Sequence, residues 1–127
     1  MQTILLVEDD DSLAYALDQR LRQASFAVVR AADSLEALRH LDSDRPFDLL
    51  LADIRMPEGQ PHGIALSLMA RVRRPRLAVI FMSGYPGLIK EGRVDDLVFE
   101  KPFNPGALVA AIQSRLGLDA RGAPTRI

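Results

Sequence analysis

The 127-residue chain has no cysteine. That excludes disulfides, thiol nucleophiles and thiolate metal sites, and it fits a reducing compartment. It has little net charge, -1 at neutral pH, and so carries neither a nucleic-acid footprint nor a polybasic membrane patch. No apolar run approaches the ~20 residues of a membrane-spanning helix. There is no Gly-x-Gly-x-x-Gly or P-loop sequence, so nucleotide binding is not expected. Histidine is scarce, and neither His40 nor His62 has a partner at metal or triad spacing. The first residues enter a strand pattern directly, so no signal peptide is expected and the cytoplasm is the predicted location.

What is present is a run of short, buried-looking strands. The central one is Phe47-Asp48-Leu49-Leu50-Leu51-Ala52-Asp53, whose apolar block suits a strand covered on both faces of a parallel sheet. Thr3–Val7, Phe26–Val29, Leu77–Met82 and Leu97–Phe99 read as four more. Helical spacing alternates with them. Leu13, Leu17, Leu21 and Ala24 form one apolar stripe, with Asp10 or Asp11 as cap. Leu35, Leu38 and Leu41 follow a capping-box-like Asp33-Ser34-Leu35-Glu36. Ile64, Leu66, Leu68, Met69 and Val72 predict a third helix. Leu88 to Asp96 leaves room for about two helical turns at ~3.6 residues each. Leu108, Ile112 and Leu116 predict the last helix, capped by Asn104, started by Pro105 and closed by Gly117. Arg71, Arg73, Arg74 and Arg76 cluster at a helix end, where they complement the helix dipole.

Alternation at this spacing implies right-handed βαβ units: one α/β domain, a doubly wound five-stranded parallel sheet with helices on both faces. The predicted strand order is 2-1-3-4-5, which sets strands one and three side by side. Four strand ends then share one edge. Strand one ends in Glu8 and Asp9, strand three in Asp53, strand four in Ser83 and strand five in Lys101. Three carboxylates in one crevice repel, and an oxygen-only set suits Mg²⁺, with the Arg55 backbone carbonyl as a further ligand. A metal, a lysine and a hydroxyl around one aspartate are what phosphoryl transfer to Asp53 requires.

Over about residues 2 to 116 the chain resembles the receiver domain of bacterial two-component response regulators. The likeness rests on Ile4–Asp10, Asp53-Ile54-Arg55-Met56-Pro57, Phe81-Met82-Ser83-Gly84-Tyr85 and Glu100-Lys101-Pro102-Phe103. It implies a flavodoxin-like fold for residues 1–117, with 118–127 a flexible tail or linker stub. It implies that Asp53 accepts phosphate from a sensor histidine kinase or histidine phosphotransfer protein and that a downstream protein partner reads the result. Glu8 and Asp9 would hold Mg²⁺, Ser83 and Lys101 would contact the phosphoryl group, and the Lys101-Pro102 bond would be cis.

Some positions depart from that pattern. Where most receivers have glycine four residues after the Met-Pro proline, this chain has Pro61, and the glycine falls at Gly63. Val98 stands where an aromatic switch residue is usual, leaving Tyr85 as the candidate mobile aromatic. The stretch from Ser83 to Lys101 is short, as in an atypical subgroup with a reduced fourth helix. Two other classes remain: a phosphorylation-independent interaction module, and an aspartyl-phosphate phosphohydrolase. The second usually needs an acid two residues after the nucleophile, where this chain has Arg55.

Overall fold

The computed structural model describes residues 1–56, 59–84 and 97–125. Its elements in chain order are β1 (Thr3–Val7), α1 (Asp11–Gln23), β2 (Ala27–Ala31), α2 (Ser34–Leu41), β3 (Leu49–Asp53), α3 (Gly63–Arg73), β4 (Ala78–Ser83), β5 (Leu97–Glu100) and α4 (Pro105–Arg115). The strands form one parallel sheet in the order β2-β1-β3-β4-β5, as predicted. The short helix expected over 88–96, and Tyr85, lie outside the described residues.

Side chains alternate across a strand, so each central strand feeds two cores. Ile4, Leu6, Leu49, Leu51, Ile80 and Met82 face α1 and α4, meeting Leu17, Leu21, Leu108 and Ile112. Leu5, Val7, Leu50, Ala52, Val79 and Phe81 face α2 and α3, meeting Ala37, Leu41, Leu66 and Ala70. Every residue of β3 is buried. Each fully buried Leu or Ile contributes roughly 1.5–3 kcal/mol relative to exposure.

The caps explain where the helices start. The Asp10 carboxylate accepts from Leu13 N–H at 3.1 Å, and that of Asp33 from Glu36 N–H at 2.8 Å. Asn104 accepts from the N–H groups of Gly106 and Ala107, ahead of a first-turn proline. His62, without a role in the sequence pattern, caps α3 by accepting from Ala65 N–H through Nδ1.

The apolar faces of α2 and α3 differ from expectation. Leu35, Leu68 and Val72 are 50%, 62% and 82% exposed, while Gly63, Leu66, Ser67 and Ala70 turn inward on α3. Apolar residues lie all around α3, so spacing alone could not say which side the sheet takes. The arginine cluster is less solvated than predicted. Arg74 is half-buried, donates to the carbonyls of Leu41 and Ser43, and lies 5.5 Å over the Phe47 ring. Arg73 pairs with Asp42 at 2.6 Å. Together they clasp the ends of α2 and α3.

Residues 117–125 turn back on the end of α4. Leu118 is buried, and Gly117 takes the positive φ that ends the helix. The Asp119 carboxylate accepts from Arg121 and Ala123 N–H, which holds its carboxyl below the usual range. Thr125 N–H returns to the Gly117 carbonyl at 2.8 Å. As far as Thr125 the expected tail is a hydrogen-bonded turn.

Candidate functional site

Asp53 is the last residue of β3 and is buried. The strand ladder continues one residue past it, as Ile54 N–H donates to the Met82 carbonyl at 2.9 Å. Its Oδ1 accepts from Arg55 N–H at 3.0 Å, a turn that uses an aspartate to redirect the chain. Its Oδ2 faces Lys101, whose Nζ lies 2.6 Å away.

Lys101 follows β5. Its N–H donates to the Ser83 carbonyl at 2.7 Å, tying the ends of β4 and β5 together, and its peptide bond to Pro102 is cis, as expected. The same ammonium donates to Glu8 Oε1 at 2.6 Å. Glu8 follows β1 and is held from both sides. Its own N–H donates to the Ala31 carbonyl, and its Oε2 accepts from Asp10 N–H. Asp9 is exposed, yet it offers an oxygen within 4.8 Å of those of Glu8 and Asp53. Ser83, buried at the end of β4, is one residue beyond the Met82 that pairs with Asp53.

One ammonium and two carboxylates share this edge. Burial raises the Glu8 carboxyl above its ordinary range, and the hydrogen bonds from Lys101 and Asp10 N–H only partly offset it. For Lys101, burial acts to lower the ammonium. The hydrogen bonds and charges of Asp53 and Glu8 outweigh that and raise it above 10.5. The residues fit a hard divalent cation. Three carboxylates supply oxygen donors only, and the exposed Asp9 leaves an open approach.

Residues 4–113 match the family described as the response regulator receiver domain. The chain belongs to that family. The receiver domain is 33% identical over 120 residues to the response regulator receiver protein CpdR of Brucella abortus, covering 91% of this chain and 98% of that protein. It is also 33% identical over 116 residues to the DNA-binding transcriptional regulator NtrC of Escherichia coli, covering 87% of this chain but 24% of that protein. The crystal structure of a response regulator receiver protein from Sinorhizobium medicae superposes with a TM-score of 0.82, at 29% identity, over 91% of this chain and 94% of that one. Proteins of this family are signalling switches in two-component signal transduction.

Within this receiver domain the ends of β1, β3 and β5 bring three of the expected side chains into contact. Lys101 contacts Glu8 and Asp53 directly, while Asp9 comes within 4.8 Å of both carboxylates without a hydrogen bond to either. Arg55 contributes its N–H to Asp53, while its side chain is exposed. Val98 pairs with Phe81 and packs, half-buried, against the core beneath α2 and α3.

Two residues that the sequence did not single out for the site support it. A Cβ on Gly63 would lie 2.4 Å from the Asp53 carbonyl oxygen, so only glycine lets α3 start against the β3 backbone. Ser34, completely buried, donates through Oγ to the Pro61 carbonyl at 2.5 Å. The displaced glycine was a visible signal for the first. The second gave no signal, because nothing in the local pattern ties a serine in a helix's first turn to a loop 27 residues away. Among the described residues, no helix is long and apolar enough to cross a membrane.

Proposed function

We propose that this receiver domain is a phosphoacceptor, with Asp53 taking a phosphoryl group from a sensor histidine kinase or histidine phosphotransfer protein in the cytoplasm. The observation that carries this reading is the Lys101 ammonium, 2.6 Å from the carboxylates of both Asp53 and Glu8 at a shared strand edge. An Asp53 carboxylate oxygen attacks phosphorus, the phosphorus–nitrogen bond to the donor imidazole breaks, and the imidazole leaves with the bonding pair. Lys101 then balances charge on the phosphorylated side chain, and Ser83 supplies a hydroxyl to a phosphoryl oxygen.

Glu8, Asp9, Asp53 and the Arg55 backbone carbonyl would hold Mg²⁺, with Asp9 the exposed ligand and Glu8 the buried one. When bound, that ion supplies positive charge to the equatorial phosphoryl oxygens. Phosphorylation draws Ser83 toward Asp53, re-pairs the Lys101 ammonium with the phosphoryl group and alters the surface that the downstream protein partner reads. With Val98 in the usual aromatic position, Tyr85 is the candidate for the aromatic that follows Ser83.

The test is NMR during titration with Mg²⁺ and beryllofluoride, on wild type and Asp53→Asn. Amide shifts spreading from Asp53 to Ser83 and Lys101 in wild type alone are the expected result. A wild-type protein with no metal-dependent response would refute phosphoacceptance and leave the interaction module.

A further inference from the structure

The segment after Asp53 is tied down at both of its described ends, by contacts that the phosphoryl chemistry does not require. Gly63 N–H donates to the Ile54 carbonyl at 2.7 Å, and Gly63 Cα is pressed so close to the backbone of Asp53 and Ile54 that a methyl group has no room. Two residues earlier, the Pro61 carbonyl accepts from Ser34 Oγ at 2.5 Å. Beside it, Leu35 N–H approaches the Gln60 side-chain oxygen at 3.4 Å.

Ser34 is the first residue of α2 and is completely buried. It does not cap its own helix, because Asp33 does that. Its hydroxyl is spent on the loop. A buried hydroxyl is costly to leave unpaired, so Ser34 holds the contact with the half-buried Pro61. The result is a rigid path from the start of α2 through Pro61 to Gly63, and from Gly63 onto the carbonyl of Asp53.

We propose that this Ser34–Pro61–Gly63 strut positions Asp53, with Ser34 and Gly63 as positioning residues. It holds the backbone from which the carboxylate reaches Lys101 and the acidic cluster. The functional half of this inference rests on the phosphoacceptor reading, and the structural half does not. The Pro61 and Gly63 departures then make one device: the glycine moves along the chain, and the longer loop is secured by Ser34.

The experiment compares the full chain with Ser34→Ala, Ser34→Cys and, as a control for destabilising α2, Asp33→Ala. Amide shifts of Asp53, Ile54 and Gly63 are recorded without ligand. Beryllofluoride affinity is measured in Mg²⁺, and thermal unfolding is followed in parallel. Ser34→Ala is expected to shift those three amides and weaken beryllofluoride binding about fivefold, the scale of one lost hydrogen bond. Asp33→Ala should melt earlier yet leave both readouts at wild type. If Ser34→Ala behaves like Asp33→Ala, the strut is refuted. Should Ser34→Ala fail to fold, Ser34→Cys, which keeps the volume but only a weak donor, decides the matter. Altered Asp53 and Ile54 amides with weakened binding in a folded protein support the strut, and wild-type values refute it. A wild type that binds no beryllofluoride rejects the phosphoacceptor reading, and the amide shifts alone then judge the strut.

Discussion

The ammonium of Lys101 and the carboxylate of Asp53, 48 residues apart in the chain, meet at 2.6 Å. The distance is set by the ends of β3 and β5 together with the Lys101 N–H bond to the Ser83 carbonyl, rather than by local sequence. Glu8 completes the group from β1, so one cation serves two buried carboxylates.

Replacing Lys101 by Met leaves those two carboxylates without their counter-charge. The expected loss is about 1–3 kcal/mol at neutral pH, read by urea unfolding. The loss should shrink under mild acid, where Glu8 takes up a proton. In wild type the Lys101 pKa is raised on folding. Its stabilisation is therefore fully present below the unfolded lysine value and disappears as pH rises through the higher folded one.

Glu8→Gln should stabilise the domain. Burial raises the Glu8 pKa above 4.5, so the folded state binds more protons than the unfolded one between the two values. Stability therefore falls as pH rises through that window, and the penalty is complete above the folded pKa. The melting temperature of Glu8→Gln should exceed that of wild type at pH 7, and the advantage should vanish below the unfolded glutamate range. Equal melting temperatures at pH 7 would show that Lys101 fully compensates the buried charge.

Asp9 and Asp10 are neighbours with separable tasks. Asp10→Ala removes the α1 cap and should cost about 1 kcal/mol while leaving metal affinity intact. Asp9→Asn should change stability by no more than about 0.5 kcal/mol, since its side chain is exposed. On the metal reading, Asp9→Asn weakens Mg²⁺ at least about tenfold by calorimetry. A reversal of the two patterns would exchange their roles.

The two sides of α3 should respond differently to truncation. Leu66 is completely buried, and Leu66→Ala should cost about 2–5 kcal/mol in denaturant unfolding. Leu68→Ala and Val72→Ala, on the outer side, should each change stability by less than about 0.5 kcal/mol.

Strand positions, strand order and the functional strand ends were legible in the sequence because buried parallel strands are continuous apolar runs. Four of the five stop at a chemically distinctive residue: Glu8, Asp53, Ser83 or Lys101. Right-handed crossovers leave few topologies, so local pattern led to the sheet and the sheet to the site. The inward side of α3 was not legible. Leu66 and Leu68 are equally apolar, and contact with Val79 and Phe81 on the sheet chose Leu66. Leu118 and Ser34 depended on long-range contact in the same way. A leucine after a helix-ending region reads as tail, and a serine in a helix's first turn carries no sign of a distant partner.

By itself, then, the sequence determined the α/β alternation and the residues that reach one edge, because both follow from short-range periodicity and chain connectivity. Only the tertiary structure decided that Lys101 bridges Glu8 and Asp53, that Gly63 lies against the Asp53 carbonyl, and that Ser34 holds Pro61. Those are distances between elements, settled by close packing in three dimensions, which no local pattern encodes.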